Sequence, residues 1–152
     1  MSQEEKELLL KDLCGRLPYT PILNILGVAG YDEKLIAINR TFEHSKYAIV
    51  TNSFEEPHYP HEFDIEEIRP YLRPMESMSI EELNECVTAL GISDIPCPNW
   101  KNDEPTERLK HSSNVFKCDS RQVEWLNAHH FDYRGLIQMG LALEAPEGMY
   151  NI

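Results

Sequence analysis

Basic residues are scarce in this sequence: 14 Lys and Arg stand against 26 Asp and Glu, a formal net charge of −12 over 152 residues. Proteins that bind nucleic acid rely on Lys and Arg to neutralise phosphates, so this balance argues against DNA or RNA as a direct partner. Long apolar runs are missing too. The opening residues Met1-Ser2-Gln3-Glu4-Glu5-Lys6 are polar and acidic, where a secretory signal needs a basic stretch followed by an apolar one. The expectation is a protein that stays in the cytoplasm and meets no membrane. Four cysteines occur, Cys14, Cys86, Cys97 and Cys118, and no two are spaced C-x-x-C. That pattern excludes a zinc knuckle, a thioredoxin-type motif and a dense disulfide framework, and predicts reduced, mostly packed thiols. Internal repeats and low-complexity tracts are also absent.

What is present fits a single domain over 1–152. Apolar residues make up 41% of the chain and charged residues 26%, a composition that supports a buried core. The negative charge is unevenly spread. Between Ser53 and Asp94 lie eleven carboxylates and two cations, Arg69 and Arg73, so this stretch holds −9 of the net −12. Such a run suits a basic protein surface or a cation; it also suits a solvated face that does no more than aid solubility.

Local signals divide the chain. Ser2-x-x-Glu5 has the form of a capping box, and Leu9, Leu10, Leu13 and Leu17 follow at helical spacing, predicting a helix over about 3 to 14. Apolar runs at Ile22 to Val28, Leu35 to Ile38 and Tyr47 to Val50 predict two or three antiparallel strands. Four prolines between Ser53 and Pro74 predict an irregular segment, in which Phe63, Ile65, Ile68, Tyr71 and Leu72 pin one further strand or helical turn. A second capping box, Ser79-x-x-Glu82, opens a helix through Leu83, Cys86, Val87 and Leu90 to Gly91. A long loop over Ser93 to Lys110, bearing Trp100, precedes a third helix that starts at Asp119-x-x-Gln122 and ends near His129 or His130. The stretch from Phe131 to Leu143 carries too much apolar area to leave in water and is expected to pack into the core or across a dimer contact, and Leu141 to Ala145 forms a closing strand or a last turn.

Three blocks, Glu7 to Tyr19, Ile68 to Met75 with Ser77-Met78-Ser79, and Phe131 to Leu143, together resemble a family of small uncharacterised proteins encoded by phages and prophages of Bacteroides and related gut bacteria. The resemblance implies a phage context and the cytoplasm of a bacterial host cell. It supplies no catalytic residue.

Several constellations can carry chemistry. His58-Tyr59-Pro60-His61-Glu62 gathers two imidazoles and a carboxylate, but Pro60 prevents the helix that would set them on one face, so an exposed loop stands against a metal-dependent hydrolase. Cys118, His129, His130 and Asp132 suggest a thiolate and imidazole pair, yet a helix between them separates thiol from imidazole by roughly 16 Å, too far for proton transfer. The histidines are instead expected at a helix C-terminus, where partial negative charge suits them. Tyr133 and Arg134, with Arg69 and Arg73, offer a planar cationic fork for an anionic ligand such as a nucleotide phosphate. Alternatively Asp132 and Arg134 lock the last segment through an internal ion pair.

The residues thus predict an α+β fold, a small antiparallel sheet of three to five strands, open or partly closed into a barrel, covered by about three helices. The leading expectation for function is a non-enzymatic phage accessory protein that binds a host or defence protein through Glu55, Glu56, Glu66, Glu67, Glu81, Glu82 and Glu85. A small-ligand or nucleotide binder using Arg69, Arg73, Tyr133 and Arg134 is the alternative, and the hydrolase is third. No cofactor and no bound metal are expected.

Overall fold

Both capping boxes form. Ser2 N–H donates to the Glu5 carboxylate at 2.6 Å and Glu5 N–H to the Ser2 hydroxyl at 3.2 Å, which starts helix α1, Gln3–Arg16. The computed structural model describes residues 1–27, 31–40, 47–53, 60–88 and 120–150. Helix α1 runs two residues beyond the expected end because its buried stripe is Leu9, Asp12, Leu13 and Arg16, not the leucines alone. Gly15 does not stop it. A Cβ there would lie 2.9 Å from the Asn127 amide nitrogen, so glycine allows a close approach to the third helix.

Strands β1 (Ile22–Ile25), β2 (Asp32–Arg40), β3 (Tyr47–Ser53), β4 (Pro60–Asp64), β5 (Ile68–Leu72) and β6 (Leu143–Glu144) form one six-stranded sheet in the order β4-β3-β2-β1-β5-β6. It is an open sheet, so the barrel alternative does not hold. It is also mixed, since β5 and β6 are parallel while the other pairs are antiparallel. A register shift between Leu35 and Ala37 lets Leu35 and Ile38, three residues apart, both turn toward the core side.

From residue 60 onward the proline-bearing stretch is more regular than expected, with two strands and an intervening 3-10 turn, Ile65–Glu67; residues 54–59 lie outside the described residues. Each proline in a strand sits where its missing donor costs little. Pro60 opens the edge strand. Leu26 N–H donates to the Glu67 carbonyl at 2.7 Å, which by antiparallel alternation turns the nitrogen of Pro70 away from β1. On that side β6 reaches only Tyr71 and Leu72. The β4 edge is blunted against further pairing by Pro60, by exposed Glu62 and Asp64, and by the Glu67 carboxylate, which takes the Asp64 N–H at 2.8 Å.

The core lies between the sheet and α1, with Leu9, Leu13, Leu23, Leu35, Ile49, Ile68, Leu72 and Leu136 fully buried. A smaller cluster of Cys86, Leu126 and Phe131 joins helices α2 (Ile80–Thr88) and α3 (Ser120–Ala128). Helix α3 ends in a Schellman pattern: Phe131 N–H donates to Leu126 O at 3.0 Å and His130 N–H to Asn127 O at 3.2 Å. The left-handed position, φ 59°, is occupied by His130 where glycine is usual.

The expectation for 131–143 holds in its main point. Phe131, Leu136, Leu141 and Ala142 are buried, while Met139 and Leu143 stay exposed. The expected Asp132–Arg134 pair does not form. Asp132 instead accepts from the Leu136 and Ile137 backbone N–H groups, both at 2.8 Å, and Arg134 Nε reaches Asp12 on α1 at 3.2 Å. The acidic acceptor of two backbone donors is already satisfied, so the guanidinium finds the other buried carboxylate. Of the cysteines described, Cys86 is buried as expected and Cys14 is exposed.

Candidate functional site

Among the described residues, several carboxylates of the acidic run are engaged in contacts within the chain. Glu66 pairs with Lys6 at 3.0 Å and approaches the Met1 ammonium at 3.8 Å. Glu67 caps the turn after β4. Glu82 serves two partners, accepting from Ser79 N–H at 2.8 Å and pairing with Arg73 at 2.7 Å. Burial pushes the Glu82 carboxyl up, but its bonds from Arg73 and Ser79 outweigh that and hold it below the usual carboxylate range. Glu55 and Glu56 lie outside the described residues.

What remains is the outer face of α2. The box that binds Glu82 inward also orients the helix, with Cys86 buried against Leu126 and Phe131. Helical periodicity then turns Ile80, Glu81, Asn84 and Glu85 outward together. Ile80 is 65% exposed, an apolar side chain standing between carboxylates, with exposed Glu76 just before the helix.

The four residues of the anion alternative are brought near one another only in part, and their cationic groups are committed. Arg69 donates to the carbonyls of Ile68 at 2.7 Å and Gly140 at 2.9 Å. Arg73 holds Glu82 and lies 4.2 Å over the Phe131 ring. Arg134 holds Asp12 and lies 4.8 Å over the Tyr133 ring. Along β5, Arg69 and Arg73 stand roughly 13 Å apart at the usual strand rise. These guanidiniums tie segments of the chain to one another.

His61 and Glu62 occupy neighbouring strand positions and therefore opposite faces of the sheet. His58 lies outside the described residues, as do Cys118 and Trp100. Among the described residues no group of three or more His, Cys, Asp or Glu is placed to hold a metal ion.

Sequence reasoning missed Glu33. It is fully buried on the core side of β2 and accepts from the Thr51 hydroxyl on β3, from His61 Nδ1 on β4 at 2.7 Å, and from the Tyr31 side chain. Burial pushes its carboxyl up, and these donors together outweigh that and hold it below the usual range. The stabilisation is therefore present at neutral pH and is lost as pH falls through that lowered value. Alternation within β2 could have flagged the position, since Glu33 and Leu35 share a face. The imidazole, 41% exposed, ties the edge strand across β3 to β2.

The helix-end reading of the histidines holds for His129 and needs correction for His130. His130 is 5% exposed and is not a cation at the helix terminus, because burial, then Arg16, His129 and Arg73, pull its pKa from the usual 6.5 down to about 4. His129 places Nδ1 2.9 Å from the Trp125 carbonyl and stacks on the Trp125 ring at 3.8 Å. Trp125 is thus part of the helix packing.

No helix among the described residues is long and apolar enough to cross a membrane. Compared with models of protein families, with curated proteins and with solved structures, the chain matches none of them.

Proposed function

We propose that the protein acts by binding another protein, one with a basic and partly apolar surface, through the outer face of α2, and that it does so without catalysis. The observation that carries this reading is Ile80, exposed to 65% beside the outward carboxylates of Glu81 and Glu85. A partner that covers the isoleucine gains apolar burial, while the surrounding carboxylates steer basic residues toward it and set its orientation. On the expectation of a phage context, the partner this reading favours is a host or defence protein of a bacterial cytoplasm.

The test is capture of partners from the natural host, followed by affinity measurement with the partner identified. A Glu81→Lys, Glu85→Lys double variant is expected to weaken binding tenfold or more, and Ile80→Ser similarly. The unfolding free energy should fall by no more than about 1 kcal/mol, most of it from placing a cation in the first turn of α2. Glu82 is left intact, because replacing it would break both the cap and the Arg73 pair. Wild-type affinity should also fall as salt is raised. Binding unchanged in both variants would remove this face from the function.

A further inference from the structure

The last described segment is tied down at few points. Strand β6 pairs only with Tyr71 and Leu72, and Ala145 N–H donates to Leu72 O at 2.8 Å. Leu143, Glu144, Pro146, Glu147 and Gly148 are exposed. The main fixing point is Tyr150. Its hydroxyl accepts from Ile22 N–H at 3.1 Å and donates to the Tyr71 carbonyl at 2.9 Å. The ladder between β1 and β5 is paired from Ile25 and Ile68 to Leu23 and Pro70, and the phenol bridges the next pair. The ring of Tyr150 stacks on the imidazole of His130, centroids 3.8 Å apart and planes 17° from parallel.

We infer that residues 143–150 form a latch that opens on acidification, with His130 as its sensor and Tyr150 as the part that lets go. Around the imidazole stand Arg16 from α1, Arg73 at the end of β5 and His129 at the end of α3, with the Tyr150 phenol on its face. The carboxylates of this junction are engaged elsewhere, Asp12 with Arg16 and Arg134 and Asp132 with two backbone N–H groups. A proton on His130 therefore adds a cation beside two guanidiniums at a site that is 5% exposed. An imidazolium does gain some attraction to the stacked phenol, but lifting the ring away gives it hydration. Acid so favours the open form, in which Ile22 N–H and Tyr71 O turn to water. A segment with so few buried contacts opens before the core does.

The sign follows from linkage. A base whose pKa is depressed from 6.5 to about 4 in the closed form leaves the latch closed above 6.5 and favours opening progressively below it. Opening should become up to about a hundredfold more favourable by pH 4 than at pH 7.

Hydrogen exchange read by mass spectrometry across pH 7 to 4 tests this, at micromolar concentration because net charge passes through zero near pH 4.8. Rates are expressed as protection relative to the unstructured chain. Protection over 143–150 is expected to fall about a hundredfold while β1 to β3 remain protected. His130→Asn, a residue that tolerates the left-handed backbone and does not titrate, should keep its protection constant with pH. Tyr150→Ala should expose the segment already at pH 7. Equal pH dependence in His130→Asn, or loss of protection over 143–150 only together with the whole fold, would overturn the inference.

Discussion

Asp12→Ala is expected to destabilise the fold by about 3 to 5 kcal/mol, the range for breaking a buried ion pair from one side. Asp12 and Arg16 are both fully buried, with Nε to Oδ2 at 2.6 Å. The same carboxylate accepts from Arg16 Nη2 at 3.2 Å and from Arg134 Nε at 3.2 Å. Removing it leaves the Arg16 guanidinium with the Phe131 carbonyl, at 2.8 Å, and no countercharge on α1 where one stood. The cost lies in that stranded cation more than in the pair itself. An Asp12→Leu, Arg16→Met double variant should therefore lose much less than the single change, because two apolar groups of similar volume replace both charges. Urea denaturation of the two variants checks the expectation. A loss below about 1 kcal/mol in Asp12→Ala would mean that water reaches the guanidinium and that the junction is looser than its geometry indicates.

Leu136→Ala is expected to cost about 2 to 5 kcal/mol, the range for truncating a buried leucine. Leu136 is fully buried in the main core with Leu9, Leu13, Leu23 and Leu72. Its backbone is fixed as well, since its N–H is held by Asp132 and its carbonyl accepts from Leu141 and Ala142 N–H at 2.9 and 3.2 Å. The site cannot collapse onto the void without disturbing that turn, which places the loss away from the lower bound. Arg134→Ala, in contrast, should cost less, because its side chain is 22% exposed and Asp12 keeps Arg16. Thermal or urea unfolding separates the two. A midpoint shift of 0.5 kcal/mol or less in Leu136→Ala would show that this segment is not core.

Features whose partners lie within one turn were legible in advance. Ser2 with Glu5 and Ser79 with Glu82 are three residues apart and form the capping bonds that their spacing implies. The paired strands β1, β2 and β3 follow from neighbouring apolar runs. The candidate surface was half legible. Glu81 and Glu85 stand outward as expected, yet Glu66, Glu67 and Glu82 serve internal contacts that charge counting does not reveal.

The α+β class, the starts of α1 and α2, the burial of most of the 131–143 segment and the excess of negative charge were thus legible along the chain, because each rests on local hydrogen bonding or on composition. Where the charges went depended on contacts between distant segments. Asp12 meets Arg134 across 122 residues and Tyr150 meets Ile22 across 128, while Glu33 finds Thr51 and His61 through strand register. A buried charge or a bridging hydroxyl is stable only where packing brings its partner, and no periodicity along the chain encodes that meeting.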